Sequence, residues 1–219
     1  MRTGKFAAVL LSTLALAGCK ATVETQVSLS ELLSGPTKVL PGALYVEVAS
    51  CADYQDSRKP SSSLVETQQQ IPGIFQDAQF VECFRQKMDS YAHFKIPVYL
   101  DKDKEGKPAS PAHINLISNE SVLLSVVVPE QIQQRLDGAK KKMHATALDI
   151  RLGVSVKNDI GKDFKFDAMS AFVDGSPIVY SSMTSHKDRT FQVMLSDVSV
   201  QAALTGSGAG VLFHAPAGA

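Results

Sequence analysis

Alternation of apolar and polar residues with a period of two dominates this chain and restricts it to folds built on a half-buried sheet. Leu148, Ile150, Leu152, Val154 and Val156 are interleaved with Asp149, Arg151, Gly153, Ser155 and Lys157, which places every apolar side chain on one face of an extended strand. Residues 43–51 repeat the pattern after the turn dipeptide Pro41-Gly42, with Leu44, Val46 and Val48 set against Tyr45, Glu47 and Ala49. Phe94, Ile96, Val98 and Leu100 alternate as cleanly, and Pro97 among them predicts an edge strand because proline cannot donate to a central ladder. Segments 113–118 and 121–128 flank Asn119-Glu120; the second is apolar on both faces, which predicts a central strand. Segments 164–173, 178–184, 190–195 and 198–204 continue as strands, with Asp174-Gly175 and Lys187-Asp188-Arg189 as hairpin turns. The C-terminal third therefore reads as an antiparallel meander.

Helical spacing is confined to a few places. Pro129 stands at a first helical position, Ile132, Leu136, Ala139 and Met143 share one face, and Lys140, Lys141 and Lys142 lie where the macrodipole favours cations. Residues 64–70 form a short helix that stops near Pro72-Gly73, while 80–88 fits a helix or a strand equally well. The class expected is α+β: a mainly antiparallel sheet with a C-terminal meander and two or three helices packed on it. Segments 31–111 and 112–214 read as two subdomains of one continuous fold, with 215–219 a flexible tail.

The N-terminus carries an address. Arg2 and Lys5 precede an apolar run over 6–17, well short of the roughly 20 residues a membrane-spanning helix needs, so it reads as a secretory signal. The run ends in Leu16-Ala17-Gly18-Cys19, which resembles the lipobox of bacterial prolipoproteins. The resemblance covers only the first 20 residues, and Lys20 replaces the aspartate that retains such proteins in the inner membrane. It implies a signal peptide over 1–18, cleavage between Gly18 and Cys19, a diacylglyceryl thioether on Cys19, and acylation such as palmitate on the new amino group. It further implies an outer-membrane lipoprotein facing the periplasm, held by acyl chains that each contribute about 0.8 kcal/mol per buried methylene. Polar residues 19–30 then read as a lipidated tether running into an edge strand.

With Cys19 committed to lipid, Cys51 and Cys83 remain, and in an oxidising compartment the two form one disulfide. Neither belongs to a Cys-x-x-Cys pair nor has a histidine at ligand spacing. The precursor balances 22 basic against 22 acidic residues, and loss of Arg2 and Lys5 leaves the mature chain slightly acidic, which argues against a nucleic-acid partner. The chain has no Trp and five Tyr, a composition that weighs against a carbohydrate-stacking or single-strand-stacking platform.

Catalytic and metal motifs are sparse. Asp101, Asp103, Glu105 and Gly106 open like a calcium loop, but Ala112 stands where a bidentate Glu is required and Lys102, Lys104 and Lys107 crowd the site. That segment reads as a solvated turn, with a weak cation site as the alternative. Gly206-Ser207-Gly208-Ala209-Gly210 lacks the sixth-position glycine of a dinucleotide fingerprint and reads as a bulge or turn. No Gly-x-Ser-x-Gly or Ser-x-x-Lys occurs, and His93, His113, His144, His186 and His214 are scattered.

These features favour a non-enzymatic, lipid-anchored envelope protein, without cofactor, that binds or helps assemble another envelope component. The alternatives are a carrier whose sheet encloses a lipid or other hydrophobic ligand, and a periplasmic hydrolase whose Ser, His and acid are brought together by the fold. A lipoprotein of a mobile element that blocks related elements is a narrower fourth reading.

Overall fold

The computed structural model describes residues 19–102, 109–143 and 148–215. In chain order the first elements are β1 (Cys19–Ser28), α1 (Leu29–Ser34), β2 (Lys38–Val48), α2 (Ser62–Ile74), β3 (Gln79–Gln86), β4 (Asp89–Asp101), β5 (Ile114–Ile117) and β6 (Val122–Val127). Then follow α3 (Glu130–Met143), β7 (Leu148–Lys157), β8 (Phe164–Val173), β9 (Ser176–Ser185), β10 (Thr190–Leu195), α4 (Asp197–Leu204) and β11 (Ala209–His214). The class is α+β, but the sheet is mixed: β1 runs parallel to β7 and β4 parallel to β5. Both parallel pairs join a strand from before residue 112 to one from after it, so the two halves share one sheet.

The strand order β10-β7-β1-β2-β4-β5-β6-β11-β8-β9 returns on itself through an additional β8–β10 pairing. β8 makes this closure by sharing one edge. Phe166, Asp167 and Ala168 pair with β11, whereas Ala171, Phe172 and Val173 pair with β10. Between the two sets Ser170 adopts a left-handed φ of 50°, and the buried apolar positions change from Phe166 and Ala168 to Ala171 and Val173. The switch from even to odd residues is what a strand needs to present its apolar face to two differently oriented partners. β8 thus straps the sheet's two ends into a barrel-like ring. The β8–β9 turn uses the expected Asp174-Gly175, both at positive φ, 48° and 78°.

Inward side chains fill the ring. Leu44, Phe94, Val98, Leu100, Leu123, Val193 and Val211 are completely buried and belong to one apolar cluster that also takes residues from all of α1, α2, α3 and α4. Helices α2, α3 and α4 lie in the connections at the end of the ring where β1 begins, and α1 lies at the other. Ser28 caps α1 through a reciprocal capping box with Glu31, while Leu29 and Leu32 are each 1% exposed. The last carbonyls of a short helix need outside donors. Leu32 finds them in Ser118 Oγ, at 2.6 Å, and in the Lys102 ammonium.

Burial pushes the Lys102 amine down to about 8. Between that value and the unfolded lysine range near pH ~10.4, the unfolded chain holds a proton that the folded chain has released, so stability rises with pH. Urea midpoints measured across this window are expected to climb for the wild type and to flatten for Lys102→Met; equal slopes would contradict it.

Several expectations are corrected. Segment 19–28 is no tether into an edge strand: β1 is interior to the sheet, paired with β7 along its whole length and with β2 over Ala21–Thr25. Its weak alternation was the signal, since Ala21, Val23, Thr25 and Val27 are buried. β4 is not an edge strand either. Pro97 faces Pro41 of β2, and on its other side it lies between the end of the β3 pairing at Lys95 and the start of the β5 pairing at Val98. Its missing N–H is therefore not required by either neighbour. The Pro41 carbonyl turns toward β1 and accepts from Thr25 Oγ1 at 2.9 Å.

Residues 80–88 resolve as strand β3 with a turn after it, and α2 runs through Pro72 to Ile74. Segment 198–204 is helix α4, not a strand. Ser196 caps it, and Ser199, Val200 and Ala203 are buried while Val198 is 75% exposed, a helical spacing that two adjacent valine-containing pairs disguise. The C-terminal third is consequently no meander: among the described residues β9 pairs with β8 alone, β10 returns to β7 and β8, and β11 inserts between β6 and β8. Gly208 at φ 73° leads into β11, whose register shifts after Gly210, in keeping with the bulge or turn expected there.

Candidate functional site

Because alternate strand residues face opposite ways, the polar half of each repeat builds the outer wall of the ring. On β1, β2, β4 and β3 that wall carries Thr22 and Glu24, Tyr45 and Glu47, Tyr91 and His93, and Glu82 and Phe84. Cross-strand register makes them neighbours: Thr22 opposes Tyr45, Tyr45 opposes His93, Glu47 opposes Tyr91, and Tyr91 opposes Phe84. His93 stacks on Tyr45 with centroids 4.8 Å apart, and Phe84 meets Tyr45 edge-on at 6.0 Å and Tyr91 at 5.9 Å. Thr22, Glu24, Tyr45, Phe84, Gln86 and Tyr91 line a shallow hollow of ≈ 370 Å³. The wall continues across Arg151 of β7, which opposes Thr22, to a second hollow of ≈ 390 Å³ bordered by Phe172, Gln192 and Met194.

Carboxylates ring the aromatic row. Burial, then Glu24 and Glu82, raises the Tyr45 hydroxyl above the ordinary tyrosine range, and burial, then Asp89 and Glu47, does the same for Tyr91. Both phenols consequently stay protonated donors. Glu47 Oε2 is shut off from solvent without a hydrogen bond; the Lys20 ammonium lies 3.5 Å away. Planar rings with protonated hydroxyls and acceptor oxygens suit recognition of a polar or cationic surface by contact.

A Ser–His–Asp cluster also forms, at the crossover from β4 to β5. Ser110 Oγ lies 2.7 Å from His113 Nδ1, and His113 Nε2 lies 3.2 Å from Asp77 Oδ2. Ser110 and His113 are only 7% and 9% exposed. Asn115, wholly buried, donates to the Ser110 and His113 carbonyls at 2.8 and 2.7 Å and accepts from the Ser110 amide at 3.1 Å. Tyr99 stacks on the imidazole at 5.0 Å. The cluster pins the crossover to the loop before β3, and its hydroxyl is enclosed by the groups it holds.

The other sequence candidates are placed as follows. Cys51 and Cys83 form a disulfide, with Cα atoms 5.6 Å apart, and it ties the loop after β2 to β3. Cys19 is the first residue of β1, opposite Leu148; Gly18 lies outside the described residues. Asp101 is buried, and its Oδ1 accepts from the Lys102 amide at 2.7 Å and from Thr37 Oγ1 at 3.3 Å. Asp103 and Glu105 lie outside the described residues, as does His144. Among the described residues no three metal-capable side chains form a group. His186 pairs with Asp163 at 3.1 Å, His214 Nε2 lies 2.9 Å from the Asn119 carbonyl, and Lys140 pairs with Asp137 at 3.8 Å.

The alternation over 43–51 places Tyr45 and Glu47 on the polar side of a strand and carries no information about their neighbours. The row exists only through the β2–β4 and β3–β4 registers, which no local pattern encodes. No curated protein and no solved structure matches the chain. A family model described as "Domain of unknown function (DUF7424)" matches residues 21–215, a span that takes in almost every element from β1 to β11. The chain belongs to that family.

Proposed function

We propose that this is a non-enzymatic, lipid-anchored protein of the cell envelope that binds another envelope component through the outer wall of β1, β2, β4 and β3. The aromatic row carries this reading. His93, Tyr45, Phe84 and Tyr91 touch in that order to form one row, and each remains partly open to solvent. Such rings offer large, rigid contact area at low entropic cost, and Glu24, Glu47 and Glu82 suit a partner segment that presents Lys, Arg or other donors.

The lipobox resemblance supplies the location. Acyl chains on Cys19 would attach at the first residue of β1, with no spacer. Thr22 then lies about 10 Å along the strand from the anchor, at roughly 3.3 Å per residue. Confinement to one membrane raises the effective concentration of partners in the same plane. Lys20 at the second mature position favours the outer membrane.

A photo-crosslinking residue in place of Thr22, in cells, tests this. A dominant envelope-protein adduct is expected at Thr22, reduced by Tyr45→Ala and Tyr91→Ala and absent when the probe replaces Lys157 at the far end of β7. Lipid adducts alone, or the same adducts at both positions, would overturn it.

A further inference from the structure

Two strands, β3 and β9, pair on one edge only among the described residues. Natural proteins guard such edges with charge, proline or bulges, because unpaired N–H and C=O groups template another strand. β3 has charge and a bulge, in Glu82 and Arg85 and in the register shift between Phe80 and Glu82, and the disulfide through Cys83 ties it to the loop after β2. β9 has neither charge nor a register shift, and its one proline, Pro177, stands beside the turn, which leaves the edge from Val179 to Met183 unguarded. Its ten residues, SPIVYSSMTS, include no Lys, Arg, Asp or Glu, and Val179 and Tyr180 are 88% and 63% exposed.

The hairpin geometry identifies which groups are free. The two-residue turn makes Val173 and Ser176 the first hydrogen-bonded pair. Counting on by alternate pairs, Val179, Ser181 and Met183 turn their N–H and C=O away from β8. Pro177 falls in the same outward series, where its missing N–H costs the β8 ladder nothing. Tyr180 and Ser182 donate to the Asp167 carboxylate at 2.8 and 2.6 Å, which ties β9 to β8.

We propose that β9 pairs antiparallel with β9 of a second copy of this chain, about a two-fold axis at Ser181, joining two sheets into one. A neutral strand is self-compatible. In this register Ser181 meets Ser181 of the copy and Val179 meets Met183, and no like charges are brought together, as they would be if β3 paired with itself. The contact is isologous, so it closes at two copies and uses up the unguarded edge.

Sedimentation velocity of the purified chain across the micromolar range tests this, alongside three variants. The wild type is expected to form a dimer. Ser181→Pro removes an outward N–H and the Ser181 Oγ bond to the Ser182 carbonyl but no bond of the β8 ladder, so the monomer stays folded while the dimer weakens about tenfold or more. Val179→Lys sets a charge beside its own copy's edge and acts in the same direction. In a Cys19→Ser background, Ser181→Cys forms a reducible dimer on oxidation, since Cα atoms of such a pair stand about 5.5 Å apart. A wild type that stays monomeric throughout, or a dimer indifferent to Ser181→Pro and Val179→Lys, would overturn the proposal.

Discussion

Phe94→Ala is expected to lower the unfolding free energy by about 3–5 kcal/mol, the range for removing a fully enclosed aromatic side chain. Phe94 has no exposed surface, lies in β4 between Leu44 of β2 and Phe80 of β3, and meets the Phe80 ring edge-on at 5.5 Å. β4 is the strand whose other edge is divided between β3 and β5, so a cavity there loosens both. Urea denaturation should show a lower midpoint with an unchanged slope, and Phe94→Leu should recover most of the loss. A shift below about 1 kcal/mol would mean that the ring's interior is not packed as described.

Removing the disulfide by Cys51→Ser with Cys83→Ser is expected to cost about 3.5–4 kcal/mol, from the entropy of closing a loop of this length in the unfolded chain. The bridge spans a sequence separation of 32 and encloses α2 and the Ala52–Pro60 bridge. The effect resides in the unfolded ensemble and should appear equally when the wild type is denatured in reductant. A double serine variant as stable as the oxidised wild type would contradict this.

How far the chain discloses its fold depends on which interactions are local. β2, β6, β7, the β8–β9 hairpin and α3 were legible because each is announced by its own periodicity and turn residues. Residues 198–204 misled because Val198, Val200 and Leu204 alternate while Ser196 and the small residues between them act as a cap and a helical face. β1 resembles a tether in sequence because its outward residues are polar and its inward ones small, a strand pattern weak in isolation that parallel pairing with β7 reinforces. β4 was read as an edge because proline rules consider one neighbour at a time, and the gap between β3 and β5 that accommodates Pro97 is a tertiary feature. The Ser110–His113–Asp77 cluster joins residues 36 positions apart, and the aromatic row depends on strand order. Neither leaves a local trace.

Several of these features bear on one another. The face of β1 that packs inward builds the ring, and the face that points outward contributes Thr22 and Glu24 to the wall. An anchor at Cys19 would hold that wall beside the bilayer, and pairing through β9 would leave the aromatic row open, since β9 pairs with β8 and not with β1, β2, β4 or β3.

Intact mass spectrometry of the protein extracted from membranes in detergent tests the anchored reading most directly. The expected species begins at Cys19 and carries the mass of two or three acyl chains, and Cys19→Ser abolishes both the processing and the membrane fractionation. A chain that retains residues 1–18, or one that begins elsewhere with the Cys19 thiol unmodified, would contradict it.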